Sequence, residues 1–269
     1  MKWFYTFHNY FLVSSLKNFI FTFSTKTLFK VSTLLIFLFI ISCTKESVEQ
    51  IEVEIPSGIL VPKEMIFIPK GEFIMGTDIE KKTSKEKKVF LPAFLIDRFE
   101  TSRNKYAEFN PRYSFLENKG NFPAAKLNYF DAESYCKYRN KRLPTEAEWE
   151  KAARGIDGRK WPWLVYYKHP NNGFSGFIPE PVNKRKNWIS PYGLYGIGHN
   201  VWEWTSSWYD YSGIPAEKQK KYKIIRGGLL QTHTIINFSP TWYRSFQNPN
   251  NRFNFLGVRC ASNVSKIKS

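Results

Sequence analysis

Two sets of residues in this chain have types and spacings that can do chemistry. The first is one carboxylate, Glu203, set among Trp202, Trp204 and Trp208, just after glycines at 193, 196 and 198. Tryptophan is costly to expose, so this density marks a packed interior. The glycines let the backbone turn where a Cβ would clash. The stretch Tyr192–Tyr209 therefore reads as an irregular, aromatic-lined core with one special acid. An acid buried between indoles needs a cation, a metal ion or several hydrogen-bond donors. The second set is three cysteines, Cys43, Cys136 and Cys260. A metal centre needs more soft ligands than these supply. His169, His199 and His233 stand apart from one another, with no paired-histidine metal motif, and a lone loop histidine reads as a surface or hydrogen-bonding residue.

Few regular elements are available to position these groups. Ser102 can cap a helix from Arg103 to about Phe109, and Asn128 a second from Tyr129 to about Arg139. In the second, Phe130, Ser134, Cys136 and Tyr138 are expected near one inward face. Leu143-Pro144-Thr145 starts a third helix, with Thr145 and Glu148 as a capping box and Gly155 as its stop. Strands are expected at Met65–Ile68, Ala93–Asp97, Lys223–Arg226 and Leu256–Ala261. The rest is loop rich in Trp, Tyr, Gly, Asn and Pro. The pattern alone predicts an α+β, loop-rich domain.

The 269 residues carry a formal charge of +17. Residues 1–43 hold four lysines and no acid, so removing them leaves +13. The charge bunches at Lys81–Lys88, Lys184–Lys186, Lys218–Lys223 and the tail beyond residue 264, which reads as solvated loops. No nucleic-acid motif accompanies it, so nucleic acid is not an expected partner. Val31–Ser42 is apolar, preceded by Lys26 and Lys30, and too short to span a bilayer comfortably; it suits a signal-peptide core. Cys43 directly after Ser42 resembles the lipobox of bacterial lipoproteins, whose cysteine is diacylated on sulfur and becomes the new N-terminus. Ile40 and Ile41 depart from the commoner residues of that pattern. The other reading is a cleaved secretory peptide or short anchor with an incidental cysteine. The expected layout is a leader over 1–43, a tether over 44–63, a domain over 64–263 and a basic tail over 264–269.

Six segments occur in a fixed order: M-I-F-I-P-K-G-E-F-I-M-G-T at Met65–Thr77, Phe94–Phe109, Asp131–Gly155 with K-R-L-P-T-E-A-E-W-E, Tyr192–Tyr209 with N-V-W-E-W, I-R-G-G at Ile225–Gly228, and G-V-R-C-A at Gly257–Ala261. Together they resemble the formylglycine-generating enzyme, or sulfatase-modifying factor, family. The resemblance implies a C-type-lectin-like α+β fold of short helices, antiparallel strands and long packed loops. It also implies a structural disulfide between Cys136 and Cys260; two buried thiols are the alternative.

Enzymes of that family oxidise a sulfatase cysteine to formylglycine, using oxygen and a Cu(I) ion held by two thiolates. Soft Cu(I) prefers sulfur. Aligned on Gly227-Gly228, the two thiolate positions fall on Thr232 and Asn237, so copper is not expected here. The family's calcium site maps to Glu203 and the Val201 carbonyl. Gly196 and His199 depart from that pattern, and this halves the anionic supply a hard cation needs. Glu203 is thus either a calcium ligand or paired with an arginine or backbone N–H groups. A second family calcium site maps near Asn171–Asn172. Arg154, Arg226, Arg244 and Arg259 are expected to pair with buried acids such as Glu146, Glu148 and Glu150.

Two functions follow as expectations. The first is an exported, lipid-anchored protein of the bacterial cell envelope with a non-catalytic domain that binds a peptide, glycan or protein partner. Its candidate groove is flanked by Thr232, His233, Asn237, Trp242 and Arg244. The alternative is an active formylglycine-generating oxidase. Carbohydrate binding rests on fold analogy with C-type lectins alone.

Overall fold

The computed structural model describes residues 50–79, 85–163, 179–210, 220–231 and 236–265. Cys43, His169, Asn171–Asn172, Thr232, His233 and the last four residues lie outside these.

Three helices carry their own start signals. α1 (Arg103–Phe109) begins at Ser102, whose hydroxyl accepts from the Lys105 N–H. α2 (Tyr129–Tyr138) begins with a capping box of Asn128 and Asp131. α3 (Glu146–Arg154) begins with the expected box of Thr145 and Glu148 and stops at Gly155, φ 75°. Each side-chain cap satisfies an N–H that the first helical turn leaves without a partner. Among the described residues no helix is long and apolar enough to cross a membrane.

The strands are β1 (Met65–Ile68), β2 (Gly71–Met75), β3 (Lys87–Leu91), β4 (Phe94–Asp97), β5 (Trp202–Trp208), β6 (Lys223–Gly227), β7 (Leu229–Gln231), β8 (Ile236–Phe238), β9 (Arg244–Gln247), β10 (Leu256–Gly257) and β11 (Ala261–Asn263). The largest sheet has the order β10-β5-β6-β9; β10 runs parallel to β5 and the other pairs are antiparallel. β1-β4-β11 form an antiparallel sheet, and β2-β3 and β7-β8 are two-stranded. This is the α+β, loop-rich architecture expected. One core joins α1 and α2 to the large sheet through Tyr106, Tyr135, Trp204, Ile225 and Val258. A second joins α3 to Ile68, Phe94, Ile96, Leu194 and Ile197.

Four expectations need correction. Trp202–Trp208 is not irregular: it is β5, a central strand of the largest sheet. α2 buries Tyr129, Ala132, Tyr135 and Cys136, while Phe130, Ser134 and Tyr138 are exposed. Positions 129, 132, 135 and 136 follow the 3.6-residue period, and the expected set does not. The expected strand Leu256–Ala261 is broken, because β10 ends at Gly257 and β11 begins at Ala261 to pair with β4 in another sheet. The expected tether is bound to the domain from Ile51 onward. The Ile51 N–H donates to the Pro191 carbonyl (2.8 Å), and Ile51, Val53, Ile59 and Val61 pack against the cores.

Candidate functional site

Glu203 lies on β5 opposite Arg226 of β6, and both are almost fully buried. Its hydrogen bonds are to other residues than Arg226. It accepts from Arg259 Nε at 3.1 and 3.0 Å and from Nη2 at 2.9 Å, and from the Trp149 indole at 2.7 Å. The rest of the Arg259 guanidinium donates to the carbonyls of Asp97 (2.9 Å), Arg98 (3.0 Å) and Tyr195 (2.7 Å). A planar fork with every N–H used is the best partner for a buried carboxylate.

This geometry tests the calcium reading of Glu203 and Val201. Both carboxylate oxygens already accept from a cation or an indole, so an added calcium ion would sit against the guanidinium charge. The donor set does not fit the ion, and the arginine alternative is the one observed. Val201 is buried, with its N–H donating to Glu100 Oε1 (3.1 Å).

Glu100 is a residue that sequence reasoning missed. Its Oε2 accepts from the Asn200 side chain at 2.7 Å. A Cβ on Gly196 would lie 2.5 Å from Glu100 Oε2, and Gly196 has φ 75°. Position 196 must therefore be glycine for both space and backbone conformation. Burial, then the Glu203 charge, push the Glu100 carboxyl up to about 8. The Ser102 cap signal pointed to α1, but nothing local linked Glu100 to a loop 100 residues away.

The second charged cluster lies beside the segment after Gly227-Gly228. Arg226 donates to Glu146 Oε1 (2.9 Å) and Glu150 Oε2 (2.7 Å), and Arg154 to Glu150 Oε1 (2.7 Å). Arg244 pairs with Glu146, and Arg142 forks onto Glu148 at 2.7 and 2.6 Å. Of the four arginines expected to pair with buried acids, Arg154, Arg226 and Arg244 therefore pair with Glu146 and Glu150 and Arg259 with Glu203, while Glu148 is taken by Arg142, which was not expected. The capping box puts Glu146, Glu148 and Glu150 in the first turns of α3, where carboxylates suit the helix dipole.

The candidate groove is only partly brought together. Asn237 lies on β8, its backbone paired with Leu230 of β7. Trp242 does not face a groove: it is 4 % exposed, with the Arg154 guanidinium 5.4 Å from its ring centre. Arg244 is committed to Glu146 and lies over Tyr209. Beside the segment, Trp163, Trp188, Leu229 and Phe238 form a separate aromatic core. A small polar cavity lies elsewhere. It is lined by Glu64, Asp97, Glu100, Thr101, Lys141 and neighbours, and its volume of about 20 Å³ holds no more than a water.

Cys136 of α2 and Cys260 are joined in a disulfide and fully buried. No free thiol remains among the described residues.

A family model described as the sulfatase-modifying factor enzyme 1-like domain matches residues 56–264. A Bos taurus protein named inactive C-alpha-formylglycine-generating enzyme 2 is 32% identical over 172 residues, covering 57% of this chain and 54% of that protein. A Mus musculus formylglycine-generating enzyme is 31% identical over 176 residues, covering 55% of this chain and 46% of that enzyme. The chain thus spans about half the length of these curated relatives. The solved structure of PvdO from Pseudomonas aeruginosa superposes with a TM-score of 0.59 at 21% identity, over 78% of this chain and 100% of that one, which speaks to the fold alone. The match from residue 56 to residue 264 covers most of the sequence, and the chain belongs to the sulfatase-modifying factor enzyme 1-like domain family.

Proposed function

We propose that this chain is a cell-envelope lipoprotein whose sulfatase-modifying-factor-type domain performs no oxidation and binds a peptide, glycan or protein partner. One observation carries the reading. The family's two thiolate positions fall on Thr232 and Asn237, and the only cysteines after Cys43 are tied to each other. A hydroxyl and an amide are hard donors, poorly matched to Cu(I). The strand that leads into that segment keeps its buried pairing, with Arg226 bonded to Glu146 and Glu150. A fold kept whole without its redox ligands suits a binding role. Relatives with both active and inactive names are compatible with such a change of use. The apolar run before Cys43 supports export and lipid attachment.

Incubating the chain with a cysteine-containing sulfatase peptide, copper and oxygen tests the reading. No aldehyde product by mass spectrometry is expected. Turnover above a copper-only control would overturn the proposal and restore the oxidase alternative.

A further inference from the structure

At one end of the large sheet, aromatic rings gather at the surface. The Tyr209 N–H donates to the Tyr222 carbonyl (2.8 Å), which carries the β5–β6 ladder one step past the Trp208–Lys223 pair. Phe246 of β9 lies opposite Ile224 of β6, so by the two-residue period Phe246, Ile224 and Tyr222 share one face of the sheet. The Phe246 ring centre lies 4.2 Å from that of Tyr209 and 5.2 Å from that of Tyr222. α3 reaches the same face at its other end, where Glu146 holds Arg226 and Arg244. Two residues beyond Arg244, Phe246 stays 40 % exposed. A cluster of rings left at the surface, rather than a lone exposed ring, marks an interaction surface.

The charge around the rings selects the ligand. Lys220 and Lys221 are exposed, and Lys221 Nζ lies 5.5 Å from the Tyr222 ring centre. The Arg244 guanidinium lies 5.1 Å from the Tyr209 ring centre. Asp210 is exposed beside Tyr209, and Glu146 is taken by Arg226 and Arg244. In sequence, Lys218–Lys223 holds four lysines and no acid. Lys223 belongs to the opposite face, where its Nζ lies 3.8 Å from the Trp208 ring centre. A cationic rim attracts an anion and repels a second copy of itself. Lysine is depleted at the centre of protein interfaces, which argues against a folded protein partner. β5, β6 and β9 expose no aliphatic side chain that could enter acyl chains, which argues against a bilayer. An acidic sugar fits both parts. Its C–H face packs on the electron-rich face of Phe or Tyr, its hydroxyls bond to the phenols, and its carboxylate takes the lysines.

We infer that Tyr209, Tyr222 and Phe246, with Lys220, Lys221 and Arg244, form a binding surface for an acidic polysaccharide built of uronic-acid units. The inference takes up the binding role proposed above and names the partner, but it does not need the domain to lack oxidase activity. The surface lies at the Lys223 end of β6, whereas Thr232 and Asn237 follow the Gly227 end in sequence. Oxidation of the sulfatase peptide would overturn the first reading and leave this one standing.

The test measures binding of the full chain to immobilised polygalacturonate and alginate, and to methyl-esterified polygalacturonate, which keeps the rings and loses the charge. The chain should hold an acidic polymer and lose most of that affinity for the ester. F246A should weaken binding about fivefold, and F246W should restore it. The K220E, K221E pair should weaken it on the order of tenfold. F130A and the K87E, K88E pair change exposed groups on α2 and β3 and should alter binding by less than about twofold. Unchanged thermal midpoints show that the variants are folded. No binding to either acidic polymer overturns the inference. Binding that K87E, K88E weakens as much as K220E, K221E, and that F246A leaves unchanged, is charge alone and overturns it as well. Equal binding of polyglutamate, lost in F246A, assigns the surface to an acidic peptide instead. Phe246-dependent binding of phosphatidylglycerol vesicles without binding of the polysaccharides assigns it to lipid. Either result also overturns the inference.

Discussion

Removing the Arg259 guanidinium leaves the Glu203 carboxylate with the Trp149 indole as its remaining donor among the described residues. An uncompensated charge in such an interior costs about 3–5 kcal/mol. R259M should lower the unfolding free energy by that amount in urea titrations, and adding E203Q should recover a good part of it. A calcium-stabilised site would behave differently, because wild-type stability would then rise with added calcium. Glu100 sets a pH dependence of its own. Its ordinary value of 4.5 applies unfolded, and the folded value is about 8. Between these, the folded state holds a proton that the unfolded chain has lost. This contribution is therefore present below about pH 4.5 and disappears as pH rises through about 8. E100Q should flatten that fall when stability is measured across the window. Glu203 was legible because three tryptophans surround it in sequence. Glu100 was not, because its donors Asn200 and Val201 lie a hundred residues away.

At the scale of the element, side-chain caps were the most readable signals. Ser102, Asn128 and Thr145 all cap the helices they announce, because a cap depends on residues within three positions of itself. T145A removes one bond to the first turn of α3 and should cost about 1 kcal/mol, seen as an earlier midpoint in thermal or urea unfolding. Elements set by distant contacts were harder to read. β5 carries small and polar residues at Thr205, Ser206 and Ser207 after its tryptophans, and its strand character comes from pairing with β6 and β10. The inward face of α2 was misread because aromatic type was followed instead of helical period. Tyr138 sits at the helix end and stays 55 % exposed, while small Ala132 is fully buried.

At the scale of the whole molecule, the Cys136–Cys260 bond spans 124 residues and ties α2 to the segment between β10 and β11. Closing a loop of that length removes on the order of 4–5 kcal/mol of unfolded-state entropy in the chain-entropy model. The C136A, C260A double variant should therefore unfold at a clearly lower urea midpoint than the oxidised chain. The fold class was readable from six ordered motifs, each of which sits on a paired strand, a capped helix or a core turn. The segment 51–61 was not, since its aliphatic residues alternate with Glu52 and Glu54 and are broken by Pro56 and Gly58, and only the Pro191 carbonyl and the two cores show where Ile51, Val53, Ile59 and Val61 go. The disulfide also bears on function, because it consumes the thiols that a copper centre would need. The most direct measurement is an anaerobic Cu(I) titration of the full chain against a bicinchoninate competitor, with the disulfide intact. The account predicts that the competitor keeps the copper, as it would against a single surface histidine. Stoichiometric Cu(I) binding that withstands the competitor, and weakens when Thr232 or His233 is replaced, would contradict it.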